Sequence, residues 1–246
     1  LLVFSQIIST PGFAQQELDS KSLAPIDLTG IWVSVITEDW RWRMLTPPRN
    51  DYSSIPLTAA AIEITEQWDP AEDVRNDNTC RPFGAAGLMR LPTRLSISWV
   101  NGQTMRIESD SGKQVRNLHF SSQNHAGEPT WQGISEANWE LLSSNNPQRG
   151  GSLKVITRKM KSGYLRWNGV PYSENAVLTE YFDRHSAFGQ EWFTVTSIVE
   201  DPLYLRTPFI TSSHFRKEED ESRWSSSNCV TAQPPVEFLP NLSDFN

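Results

Sequence analysis

The stretch that most constrains the fold is residues 175–205, NAVLTEYFDRHSAFGQEWFTVTSIVEDPLYL. Ala176, Leu178, Glu180 and Phe182 share one face of a first run, and Val177, Thr179, Tyr181 and Asp183 share the other. Phe193, Val195, Ser197 and Val199 share one face of a second run. Alternation of period two marks a strand with one buried face. Residues 186–189 supply turn chemistry between the runs, and Asp201-Pro202 ends the second. The stretch therefore predicts a long hairpin. Glu180 is the discordant residue, because it sits on the more apolar face. A carboxylate there is paired, held protonated, or used in chemistry. A Glu bonded to an arginine or a backbone amide satisfies the first case. A general acid or base in a cavity satisfies the others.

The rest of the chain repeats the same pattern. A first strand is predicted over residues 30–37, opened by DLTGIW. In residues 93–120, Leu95, Ile97 and Trp99 alternate with polar neighbours, Asn101-Gly102 and Ser111-Gly112 mark turns, and Arg116 alternates with Leu118 and Phe120. These features predict a three-stranded meander. Further strands are expected over 130–140 (with Trp131 and Trp139), 152–159 and 207–215. Asn168-Gly169 predicts a tight turn with Tyr164, Arg166 and Tyr172 clustered around it. One clear helix is expected over residues 57–68, with Leu57, Ala60, Ala61, Ile64 and Trp68 on one face and Thr58 as its N-cap. Asp69-Pro70 ends it, and the acidic stretch that follows reads as a solvated loop without EF-hand spacing.

Residues 38–50, EDWRWRMLTPPRN, alternate Arg41 and Arg43 with Trp40 and Trp42, so guanidinium–ring stacking is expected in a loop or lid near a barrel mouth. Asp39 can pair with either arginine. With about nine strands, mostly neighbours in sequence, and no strand–helix alternation, a parallel sheet is excluded as the main architecture. The prediction is an all-β fold, a mainly antiparallel barrel with one short helix near one end. Such a barrel can hold one small ligand.

Three segments follow. Residues 1–16 have the apolar run and small residues of a signal-peptide remnant. Residues 27–216 form the barrel domain, and 217–246 form a charged, then Ser- and Pro-rich tail. The apolar run is too short to span a bilayer. Export to the periplasm or exterior would favour a bond between Cys80 and Cys229, the two cysteines present, pinning the tail. Two buried free thiols are the alternative. A net charge of −7 without a basic stripe argues against nucleic acid. Asn241-Leu242-Ser243 matches a glycosylation acceptor.

The opening DLTGIW is similar to a lipocalin-type first strand. The order of DLTGIW, TWQGISEANWE, GSLKVIT, VLTEYF and EDPLYL resembles a broad group of exported, lipocalin-like bacterial β-barrel proteins of largely uncharacterised function. The likeness covers residues 27–215. It implies a barrel and export, and it brings no catalytic residue set.

The residues contain no metal-spaced Cys or His set, phosphate loop or dinucleotide fingerprint. His119 and His125 straddle a loop, which suits no zinc site. Gly133-Ile134-Ser135-Glu136-Ala137 lacks the α/β context of a nucleophile elbow. What remains is cofactor-free acid–base chemistry on a hydrophobic or aromatic small molecule: a lyase, isomerase, hydratase or cyclase. Glu180 leads, His119 titrates near neutrality, Tyr164 donates to a developing oxyanion, and Arg116 holds an anion. Trp40, Trp99, Trp131, Arg166, Tyr172 and Tyr181 are the expected binding residues. Two other readings stay open: a carrier of a hydrophobic small molecule, and a carbohydrate-binding module with exposed tryptophans.

Overall fold

The computed structural model describes residues 19–121, 127–142 and 150–231. The signal-like segment, His125 and the Asn241 motif lie outside these residues.

Nine strands close into a barrel. They are β1 (Gly30–Val35), β2 (Arg94–Asn101), β3 (Thr104–Ser109), β4 (Val115–His119), β5 (Ile134–Leu141), β6 (Gly151–Arg158), β9 (Val177–Ala187), β10 (Gln190–Glu200) and β11 (Phe209–Glu218). A separate hairpin pairs β7 (Gly163–Arg166) with β8 (Val170–Tyr172). Around the barrel the order is β1-β11-β10-β9-β6-β5-β4-β3-β2, and β1 pairs β2 to close it. The predicted all-β barrel is therefore the fold. Closure leaves no sheet edge exposed. Every barrel pair is antiparallel except β4 with β5, which run parallel. A parallel pair needs a crossover from one end to the other.

The predicted hairpin is β9–β10, with Glu180 opposite Ser197 on β10 and Val155 on β6. Its inward residues, Leu178, Glu180, Phe182, Phe193 and Val195, are fully buried. Trp32, Leu95, Ile97, Met105, Ile107, Leu118, Leu153, Val155 and Phe215 fill the interior with them. Trp32 meets Phe193 edge-on at 4.9 Å, and its indole N–H donates to the Leu28 carbonyl at 2.8 Å. The interior is thus a packed core at this level.

One barrel end is closed by residues 19–28. The Trp139 indole donates to the Ser20 carbonyl at 2.8 Å, and the Lys21 amide to the Gly102 carbonyl at 3.0 Å. The other end is capped by the β7–β8 hairpin and short helices. Among the described residues four α-helical segments occur where one was expected: α1 (Trp40–Arg43), α2 (Ala59–Glu66), α3 (Pro70–Arg75) and α4 (Ala85–Leu88).

Thr58 caps α2 as predicted, accepting from the Ala61 amide at 3.3 Å. The buried face differs from the expected one: Leu57, Ala61, Thr65 and Trp68 are buried, while Ala60 and Ile64 are exposed. Thr65 tolerates burial because its hydroxyl donates to the Ala61 carbonyl at 2.8 Å. The stretch after Asp69 is a helix, not a solvated loop. Pro70 ends α2 but suits the first position of α3, and the Asp69 carboxylate accepts from the Ala71 amide at 3.0 Å.

Cys80 and Cys229 are disulfide-bonded. Among the described residues no helix is long and apolar enough to cross a membrane.

Candidate functional site

Glu180 and Arg116 meet inside the barrel, toward the capped end. Both are essentially fully buried. The Arg116 guanidinium donates to the Glu180 carboxylate, to Ser135 Oγ at 2.9 Å and to Thr157 Oγ1 at 2.6 Å. The two hydroxyls lie 2.8 Å apart. Four strands, β4, β5, β6 and β9, thus send one polar group each to a single point. Glu180 Oε1 and Arg116 Nη1 have no hydrogen-bond partner among the described residues. Neither side chain lines any of the larger clefts, so the predicted aromatic-lined cavity around Glu180 does not open there.

The other expected site residues are dispersed, which corrects their grouping around Glu180. His119 occupies the outward parity of β4, opposite Arg116 and Leu118. Tyr181 takes the outward parity of β9, where the Lys154 ammonium sits 5.3 Å from its ring. Trp99 stacks with Phe120 at 5.3 Å near the far barrel end. Trp131 carries Lys161 over its ring at 5.4 Å. Trp40 is 60 % exposed on α1. The expected ion pairs of residues 38–43 also change partners: Asp39 pairs with Arg90 at 3.1 Å, Glu38 with Arg43, and Asp51 with Arg41 at 3.5 Å. Of the expected ring stacking, Arg41 lies 5.0 Å from the Trp42 ring, and the ring's other guanidinium, 4.5 Å away, is Arg166 from outside the segment.

Tyr164, Arg166 and Tyr172 do come together at the β7–β8 hairpin. Gly169, with φ +80°, turns the hairpin, and a Cβ there would fall 2.1 Å from the Trp68 ring. Glycine therefore permits both the turn and the seating of Trp68. Asp201 holds β8 to the end of β10, accepting from the Ser173 amide at 2.6 Å and its hydroxyl at 2.8 Å.

Tyr172 is a packing residue. It is fully buried, and a Cβ at Gly84 or Gly163 would strike its hydroxyl at 2.0 or 2.6 Å. That hydroxyl has no partner, and burial pushes its phenol pKa up. Tyr172→Phe removes a polar group that makes no bond. Its unfolding free energy is expected to stay within about 1 kcal/mol of the parent or rise. Urea unfolding measures this, and a loss of several kcal/mol would show a hidden partner for the hydroxyl.

Beside Tyr164 lies a cleft of about 300 Å³. Its walls include Trp68, Asp69, Glu72, Asp73, Arg81 and Tyr204. The Tyr164 hydroxyl donates to Asp73 Oδ2 at 2.8 Å, and Arg81 donates to Asp73 Oδ1 at 2.9 Å and to the Tyr164 oxygen at 3.1 Å. Burial pushes the Tyr164 phenol pKa up, so it stays protonated and acts as a donor. Two of its wall residues carry a buried N–H, Trp68 Nε1 and Arg81 Nε, that lacks an acceptor among the described residues. Sequence reading named Tyr164 but missed Trp68, which it used only as a helix-face residue, and Asp73 and Arg81, whose meeting depends on α3.

A larger cleft of about 860 Å³ opens at the opposite barrel end, beside Trp99, Asp27, His185 and Glu191. Its charges serve one another: Arg184 pairs with Glu191 at 2.8 Å, and Asp27 accepts from the Thr29 hydroxyl at 2.7 Å. It has the character of solvated surface.

No protein family, no curated protein and no solved structure matches the chain. The fold defines it as a closed nine-stranded barrel with a helical cap.

Proposed function

We propose that the protein binds a small polyhydroxylated molecule, a sugar or related polyol, in the Tyr164 cleft. The reading joins the carrier class to a carbohydrate ligand. One observation carries it: Trp68 and Arg81, each with a buried N–H that lacks an acceptor among the described residues, share the walls of one cleft with Asp69, Glu72 and Asp73. A polyol offers acceptors to the former and donors to the latter. A purely hydrophobic ligand would leave the donors unmatched, at a cost of about 1–3 kcal/mol each. The cleft's volume is at the lower end for small-molecule sites. The disulfide is compatible with an oxidising compartment, which supports a periplasmic or secreted location as part of this proposal.

Calorimetric titration with mono- and disaccharides, against aliphatic and aromatic acids of similar size, tests it. Saccharide binding with little response to the acids is the expected result. Trp68→Phe keeps a ring and removes the N–H. It should weaken saccharide binding by about tenfold, with a stability cost of about 1–2 kcal/mol for the smaller ring in a protein that still folds. Preferential binding of an apolar ligand would overturn the reading.

A second reading keeps Glu180 as an acid or base, supported by its unpartnered Oε1. It requires the barrel interior to open to substrate. Turnover of a small molecule lost in a folded Glu180→Gln protein would establish it.

A further inference from the structure

Three arginines converge on a second, narrower cleft on the other side of Tyr164. Arg43 from α1, Arg90 after α4 and Arg166 from β7 all line it, with Trp42 and Trp167. They are 2 %, 4 % and 3 % exposed. Buried guanidiniums demand counter-charge and acceptors, because removing a cation from water is costly. The protein supplies these unevenly. Arg43 pairs with Glu38 and donates from Nε to the Arg90 carbonyl at 2.9 Å. Arg90 pairs with Asp39 at 3.1 Å. Arg166 makes no ion pair among the described residues. It donates to the Asp51 carbonyl at 3.3 Å, the Ser53 carbonyl at 2.8 Å and Ser54 Oγ at 3.3 Å. Each arginine also keeps one buried N–H without a partner: Arg43 Nη2, Arg90 Nη1 and Arg166 Nε.

The electrostatics agree with this geometry. Burial, and then repulsion from Arg90, pulls the Arg166 pKa down to about 10. Burial also lowers that of Arg43, with Arg90 adding to the effect against Glu38 and Asp39. Three cations therefore lie close together; Glu38 and Asp39, about a third exposed, sit on the rim, and Asp51 and Asp39 offset part of the effect on Arg166 without an ion pair to it. The space between the arginines is small, about 10 Å³. That is roughly room for one water-sized occupant.

We propose that this cleft is a binding site for a small monovalent anion of about chloride size, held by the free N–H groups of Arg43, Arg90 and Arg166. The anion would offset the charge of Arg166 and accept from three donors that have no protein acceptor. It would also fasten α1 and the following loop, residues 44–54, to the β7–β8 hairpin. That loop already reaches the hairpin through Arg166 and through Asn168, which donates to the Pro48 and Asp51 carbonyls at 2.9 and 3.0 Å. The site is independent of polyol binding in the Tyr164 cleft.

Thermal unfolding of the full protein in sodium chloride, sodium bromide and sodium gluconate at equal ionic strength separates binding from screening. The halides should raise Tm saturably, by roughly 5 °C or more at about 100-fold excess over Kd, with gluconate giving only the screening response. A bromide-soaked crystal should show an anomalous peak within hydrogen-bond distance of the three guanidiniums. Arg166→Met should abolish the halide-specific rise if it folds. If it does not fold, the parent titration and the bromide position decide. Equal Tm in all three salts, or bromide found only elsewhere, would overturn the proposal.

Discussion

Glu180→Leu is expected to destabilise the protein by about 3–5 kcal/mol, the usual cost of stranding one member of a buried ion pair. Arg116 would keep its bonds to Ser135 and Thr157 but lose its carboxylate partner in the fully buried barrel core. The pair itself need not stabilise the fold, since two desolvated charges roughly cancel their own attraction. The double variant Arg116→Met/Glu180→Leu should therefore recover most of the loss, or exceed the parent. Glu180→Gln keeps an acceptor without the charge and should fall between parent and Glu180→Leu. Urea unfolding of the four proteins forms a cycle that isolates the pair. An unchanged midpoint for Glu180→Leu would show that Arg116 is neutralised by another route. This result also bears on catalysis: activity lost together with stability would mark a structural role, whereas a stable, inactive Glu180→Gln protein would mark a chemical one.

The barrel was legible because alternation reports which face a residue takes. Leu178, Glu180 and Phe182 point inward as their parity requires, and Arg116 follows Leu118 and Phe120 inward. Parity does not report what lies across the barrel. Whether Glu180 meets an arginine or a cavity depends on the register of β4, β5, β6 and β9, which no local pattern encodes. The parallel β4–β5 pair was hidden for the same reason. The cap was harder still. Asp69-Pro70 looks like a helix stop, yet the same two residues start α3, because proline disfavours the turn before it and suits the turn it opens. Once α3 forms, Asp73 reaches Arg81 and Tyr164. The arginine cleft draws Arg43, Arg90 and Arg166 from three separate segments. Arg43 was visible only as half of an Arg–Trp alternation, and Arg90 stands without a local signal at the end of RPFGAAGLMR. Long charged side chains are ordinarily solvated, so nothing local marks these three for burial.

Removing the disulfide, by reduction or by Cys80→Ser with Cys229→Ser, should cost about 2–5 kcal/mol. The bond joins residues 149 apart, so the chain-entropy account alone gives about 5 kcal/mol. The native contacts it secures are few. Cys229 packs near Phe83, Leu88 and Leu91, and the Ser227 amide donates to the Asp110 carbonyl at 2.9 Å. The tail has little else to hold it among the described residues, since residues 219–223 and 225–228 are exposed. The effect should therefore appear mainly through the unfolded chain, which gains the freedom the bond removes. At roughly 2–4 °C per kcal/mol for a chain of this size, Tm should fall by about 5–20 °C on reduction. The barrel itself should survive, with far-ultraviolet dichroism unchanged at 25 °C. The local loss should fall on the cap, where Phe83 meets Trp167 edge-on at 5.3 Å. Near-ultraviolet dichroism should report that change before global unfolding begins. A reduced protein with the parent's Tm would mean that the unfolded chain stays compact around Cys80 and Cys229 without the bond.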